Sequence, residues 1–432
     1  MNAVIWIRIL LLISLAGCLE AAKKGGDSGN SGGASTVQRV SRAHLEFALS
    51  LYQRLASDLG PHENLVISPH SIASVLSQLW LGSGVGSSTY RQLEKVLFYR
   101  DSGLTPSQAH QTFHPSNYGI TDSDLNAVVD IANKIYLQKG VSLRKEFEDD
   151  LAHFYNSSVS TVDFTTVPGS GTRSAQRVVN KWVSTQTKGR ISSLIDKPLS
   201  HETRMLIVNA LVLDAHWLHS FDPTMTAANG IFHLSSKSKL EIPMMAGKFQ
   251  VSLGESHELN CRLLELPFKA RRLSMFLLLP NEEQGEDTSQ SLRRLEASLN
   301  SDTLKQLFSS LTQETVHVRM PRFRVAHSTA LEDTLRRMGL VTLFDPLRAN
   351  LSRMSTNTQL AVSAMAHKVH LEVTEKGTEG AAATSSGIER FGEIGEFFEV
   401  NRPFIFLIWD YKRGALLFIG RVTYPEPLFN SS

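Results

Sequence analysis

The stretch best placed to do chemistry is Glu375-Lys376-Gly377-Thr378-Glu379-Gly380-Ala381-Ala382-Ala383-Thr384-Ser385-Ser386-Gly387, which contains no large apolar side chain. The chemistry would be conformational: a segment able to become a strand. In a strand, alternate residues face the same side. One alternate set, Thr378, Gly380, Ala382, Thr384 and Ser386, is small and uncharged and fits against a packed core. The other, Glu379, Ala381, Ala383, Ser385 and Gly387, carries one charge and fits solvent. A long loop in a compact chain is either functional or disordered. This one is neither proline-rich nor highly charged, as a disordered linker would be. A plain flexible loop, small by accident, is the competing reading.

Enzymatic constellations are absent. There is no HExxH, CxxC, P-loop or complete GxGxxG. Gly29-Asn30-Ser31-Gly32-Gly33 fits G-x-S-x-G and Gly26-Asp27-Ser28-Gly29 looks like a protease nucleophile surround. Both sit in a Gly/Ser-rich leader with no rigid turn to activate a serine. Gly82-Ser83-Gly84-Val85-Gly86 reads as a helix stop rather than a phosphate cradle. The 15 histidines are scattered, so no metal or cofactor is expected. His367, ahead of a strand, reads as a hydrogen-bonded structural histidine.

The elements that must hold the loop can be read from periodicity. Helical spacing runs from Ser41 to Leu55, then from Ser71 to Leu81 behind a Ser68 cap and Pro69 at the first turn. Further helices are read over Ser88–Leu97, Leu143–Tyr155, Ala175–Thr187, Gln290–Leu299 and Ala330–Met338. Strands are read over Asn64–Ile67, Asp130–Leu137, Met205–Ala215, Glu241–Met245, Arg262–Leu266, Leu273–Leu279 and Thr315–Phe323. Three more centre on Leu371, Ile405 and Leu417. Helices dominate the first half and strands the second, which is α+β rather than βαβ alternation.

The 432 residues carry a formal net charge of +2, with 42% hydrophobic and 20% charged residues. That balance favours neither nucleic acid nor a strongly acidic partner. No segment beyond the N-terminus is apolar enough to span a membrane. Val4–Leu15 followed by Ala16, Gly17 and Cys18 reads as a secretory signal over residues 1–21. Leu15-Ala16-Gly17-Cys18 also fits a lipoprotein signal. Residues 22–36 read as a disordered leader and 37–432 as one domain. Cys261 then stands alone, so a secreted chain must be held by its core. Asn156, Asn350 and Asn430 head N-x-S/T sequons.

Over residues 40 to 425 these pieces resemble serpins, the serine protease inhibitor superfamily. The resemblance rests on Asn64-Leu65-Val66-Ile67-Ser68-Pro69, Asn180-Lys181-Trp182-Val183, Thr187-Lys188-Gly189-Arg190-Ile191, Val208-Asn209-Ala210 and Pro243-Met244-Met245. It continues through Leu264-Glu265-Leu266-Pro267, Pro321-Arg322-Phe323, Met338-Gly339-Leu340, His367-Lys368 and Asn401-Arg402-Pro403-Phe404 to Phe418-Ile419-Gly420-Arg421-Val422. The Met pair and the Asn180–Ile191 stretch are most similar to the plasminogen-activator-inhibitor group.

The resemblance implies three β-sheets, eight or nine helices and an exposed reactive-centre loop over about residues 375–400. It implies a suicide substrate rather than an enzyme. A serine protease attacks the loop, and the cut loop inserts into the main sheet with the protease attached. Roughly 15 residues at about 3.3 Å each would carry the acyl bond roughly 50 Å. Glu375, Gly377, Thr378, Glu379, Gly380, Ala381, Ala382 and Ala383 match the inhibitory hinge, although Gly380 stands where alanine is commoner. Ser68, Ser71, Asn209 and His367 match positions under the opening sheet, and Trp217 matches a tryptophan near its top. Asp214-Ala215 departs from the usual Lys-Gly before that tryptophan. Family spacing places the cut at Phe391, before Gly392, suiting a chymotrypsin-like protease. A loop one residue shorter places it at Arg390, suiting a trypsin-like one. The heparin-binding region of relatives matches Thr105–Gly119, which has histidines but no Lys or Arg, so heparin binding is doubtful. A monomer is expected. The alternative is a non-inhibitory carrier or chaperone on the same fold.

Overall fold

The computed structural model describes residues 34–114, 127–165, 174–282, 287–355, 359–378 and 395–428. The first helix, Thr36–Asp58, starts at the last residue of the expected leader and ahead of the Ser41 periodicity. The reason is local. The Ser35 hydroxyl accepts from the Gln38 amide while the Gln38 side chain accepts from the Ser35 amide, a reciprocal cap. Pro69–Gly82 is buried along its whole length. Ser68 precedes it as expected, but its side chain makes no cap hydrogen bond. A helix over Ser301–Ser309, capped by Asn300, is absent from the periodicity reading. Nine α-helices occur among the described residues.

Strands are numbered in chain order. One seven-stranded sheet runs β16 (Glu426–Pro427), β10 (Phe323–Ala330), β11 (Ala364–Val373), β4 (Met205–His216), β2 (Ala127–Gln138), β3 (Val159–Val162), with β12 (Gly377–Thr378) on β4. A nine-stranded sheet runs β1 (Leu65–Ile67), β15 (Ala415–Val422), β14 (Phe404–Asp410), β8 (Leu273–Pro280), β7 (Cys261–Pro267), β6 (Lys239–Ser256), β9 (Thr312–Pro321), β13 (Glu396–Glu399), with β5 (Ala227–His233) on β6. Two of the three expected sheets are therefore continuous. The 18-residue β6 joins them, pairing with β5 near one end, β7 at the other and β9 between.

The core has three apolar clusters. The helix faces enclose Phe47, Leu76 and Trp80. Between the sheets lie Val66, Leu211, Leu213, Val369 and Leu371. Ala175–Gln186 covers the outer face of the seven-stranded sheet with Val179 and Val183 against Leu206 and Val208. β4 is buried at nearly every position. Its parallel partner β11 alternates buried and half-buried residues. Cys261 is a free, buried thiol, pushed up to about 12 by burial and by Glu255.

Candidate functional site

The hinge is built where β4 and β11 stop pairing. Their parallel register runs from Leu206 opposite Ala364 to Val212 opposite His370. Beyond it the chain turns back after Thr374. The Thr374 and Gly377 backbones bond each other in both directions, at 2.7 and 3.1 Å. Gly377 and Thr378 then pair antiparallel with His216 and Ala215 of β4. Gly377 has φ +136°, a backbone that favours glycine, and a Cβ there would be driven into the Ala215 carbonyl. The glycine is needed both for its torsion and for the close approach.

Five hydrogen bonds and a ring stack fix the turn. The Trp217 indole donates to the Thr374 carbonyl at 2.9 Å, and its ring stacks on Phe268 at 4.6 Å. The Trp217 and Phe221 amides donate to the Lys376 and Glu375 carbonyls, both at 2.9 Å. Glu375 is buried and accepts from Thr226 at 2.8 Å and from Arg322 at 3.4 Å. A buried carboxylate needs such partners, because an unpaired one costs several kcal/mol. Ala215 is the surface on which Gly377 lies, while Asp214 turns to Arg190 at 3.1 Å. The departure from Lys-Gly therefore leaves a well-partnered segment.

Lower in the same seam, Asn209 stands opposite His367 across β4 and β11, and opposite Asn133 across β4 and β2. His367 is fully buried. Its Nε2 accepts from the Ser68 amide at 3.2 Å, so Nδ1 carries the proton and donates to the Asn209 side-chain oxygen. The Asn209 amide donates to Ser71 at 2.6 Å and to Asn133 at 2.7 Å. Burial, followed by the nearby His327, lowers the His367 pKa from 6.5 to about 3. The ring is therefore neutral and keeps this tautomer. Ser68, Ser71, Asn209 and His367 are thus brought together, while Trp217 stands apart at the hinge. Asn133 and the Arg322–Glu375 pair are not singled out by sequence. Asn133 carries no local signal, since only the antiparallel register delivers it.

Glu379, Gly380, Ala381, Ala382, Ala383, Arg390, Phe391, Gly392 and Asn430 lie outside the described residues. Asn156 and Asn350 are exposed, Asn156 in a left-handed helix cap. Part of Thr105–Gly119 forms the helix Pro106–Gln111. His110 there is buried against Trp80 and bonds Tyr155 at 2.6 Å, so it is not part of a solvated face. Among the described residues, no helix is long and apolar enough to cross a membrane, and no group of three or more His, Cys, Asp or Glu could hold a metal.

A family model described as Serpin (serine protease inhibitor) matches residues 42–425. Human leukocyte elastase inhibitor is 32% identical over 397 residues, covering 90% of this chain and 100% of that protein. Human plasminogen activator inhibitor 2 is 31% identical over 422 residues, covering 89% and 99%. Among solved structures, human thyroxine-binding globulin is similar with a TM-score of 0.81 at 26% identity, covering 91% and 100%. Serpin48 of the insect Tenebrio molitor is similar with a TM-score of 0.75 at 28% identity, covering 90% and 98%.

Proposed function

Because the chain belongs to the serpin family, we propose that it traps a serine protease as a suicide substrate. The protease serine attacks the carbonyl of Arg390 or Phe391 and forms an acyl ester. The peptide bond to the next residue breaks, and the loop ahead of the cut inserts between β4 and β11. The carrying observation is the hinge itself: Gly377 and Thr378 already pair antiparallel with β4 at the unpaired end of the β4–β11 seam. Extending that register, each further loop residue steps one residue down β4. Glu379 would meet Asp214, and Thr384 would meet Asn209. The small residues from Gly380 to Ser386 suit that passage, and the Asn209–His367 bond would have to open for it. Insertion of a loop into a sheet is a recognised route for releasing stored strain.

The names of two relatives support the target class: one inhibits leukocyte elastase and the other a plasminogen activator. Elastase-, chymotrypsin- and trypsin-like proteases are therefore the panel. Incubation followed by a denaturing gel should show a covalent band of summed mass, with the cut mapped after Arg390 or Phe391. Loop cleavage by the whole panel without any such band would remove the trapping step. A non-inhibitory carrier is the second reading, favoured by the likeness to thyroxine-binding globulin. The small side chains of the hinge argue against it. Secretion is part of the proposal, supported by the Val4–Leu15 run and the exposed Asn156 and Asn350. Glycosidase-sensitive protein in culture medium would bear it out, and retention in the cell without glycans would contradict it.

A further inference from the structure

β13 resumes the described chain just after the reactive segment and is the last strand of the nine-stranded sheet, with β9 as its neighbour. Phe397 on β13 is 64% exposed, and no other phenylalanine among the described residues is exposed. Single apolar residues on a surface are ordinary. What distinguishes Phe397 is how it is held. It stands opposite His317 in the β13–β9 register, and the two rings stack at 4.9 Å with an interplanar angle of 17°. Arg262 donates to the Phe397 carbonyl at 2.7 Å. The charges beside it are already paired, Glu396 with Arg262 at 3.4 Å and Glu399 with Arg319 at 3.2 Å. The patch therefore presents a rigid apolar ring rather than a free charge, the kind of preorganised aromatic that anchors interfaces at little entropic cost.

Chain reach says what would cover it. Gly392 lies five residues before Phe397, so the two are at most roughly 18 Å apart. A stable protease complex buries about 800 Å² on each partner, a patch of roughly 16 Å radius. Full extension would leave the ring just outside that radius, and any shortening of the intervening chain would bring Phe397 under a protease engaged at Arg390–Gly392. We propose that Phe397, stacked on His317, is a docking contact that seats an apolar side chain on the protease rim, on the C-terminal side of the scissile bond. This rests on the loop being the protease's substrate, and it makes Phe397 a specificity-determining residue outside the loop.

The test measures the second-order rate of covalent-complex formation for the wild type, Phe397→Ala, Phe397→Tyr and Leu347→Ala, with Leu347 an exposed control. Phe397→Ala should slow the reaction about tenfold, with an unchanged trapped fraction and unchanged Tm. Phe397→Tyr and Leu347→Ala should stay within about twofold of the wild type. A Phe397→Ala rate within about twofold overturns the proposal. If the wild type is cut in the loop but not trapped, trapping fails, while an equal slowing of cleavage upholds the docking contact. If no protease of the panel cuts the loop, both readings fall. A dimer dispersed by Phe397→Ala at unchanged rate would assign the ring to a second copy of the chain and overturn the proposal.

Discussion

The two parts of the β4–β11 seam are closed by different chemistry. At the hinge the closure is backbone: Gly377 and Thr378 lie on Ala215 and His216, clamped by Trp217 and by the Glu375–Arg322 pair. Midway along the seam it is side chain: His367, Asn209 and Ser71 share buried hydrogen bonds beside the Ser68 amide, and Asn209 adds a half-buried one to Asn133. On the proposed mechanism the hinge offers a place for an incoming strand, whereas the polar cluster would have to open before that strand could pass. Buried hydrogen bonds are costly to leave unmade, about 1–3 kcal/mol for each stranded group. On the proposed mechanism they would form a barrier to insertion that opens once an inserted strand offers new partners.

The largest expected effect falls on the hinge. Gly377→Val places a branched side chain at positive φ and into the Ala215 carbonyl. The fraction of protease trapped should drop by roughly tenfold or more while loop cleavage continues, because strain at one such residue costs about 1–3 kcal/mol. A gel time course reads both products, and full trapping by Gly377→Val would show that the hinge pairing is incidental.

The polar cluster should respond more gently, and through pH. The folded His367 pKa of about 3 lies below the ordinary 6.5. The unfolded chain therefore binds more protons between those values. The histidine's contribution is fully present above about pH 6.5 and declines as pH falls toward 3, by about 1.4 kcal/mol per unit at most. His44 and His110, both lowered to about 4 by burial, act in the same sense. Denaturant melts from about pH 7 to about pH 4.5 should show a shallower loss of stability in His367→Gln than in the wild type. Identical slopes would place the acid sensitivity elsewhere.

Parity made the small-residue pattern of the loop visible in the sequence, and the part of it within the described residues, Gly377 and Thr378, pairs with β4. The α+β class was legible for a similar reason: period-2 and period-3.6 patterns are local. The first helix starts earlier than its apolar stripe because the Ser35–Gln38 cap, hidden at the edge of a Gly/Ser-rich composition, sets the boundary. The joining of two sheets along β6 and the arrival of Asn133 beside Asn209 depend on register between distant strands. The Arg322–Glu375 pair joins residues far apart in the chain, so neither residue alone announces it.

On the proposed mechanism the cut loop becomes a strand between β4 and β11. Cleaving the loop with a metalloprotease, which forms no acyl-enzyme, isolates that step. The Tm of the cut chain should rise by roughly 10 °C or more over the intact chain, since each kcal/mol moves Tm by a few degrees in a chain of this size. The amides of β4 should exchange more slowly at the same time. A cut chain that melts at or below the intact one, with unchanged exchange in β4, would contradict the account.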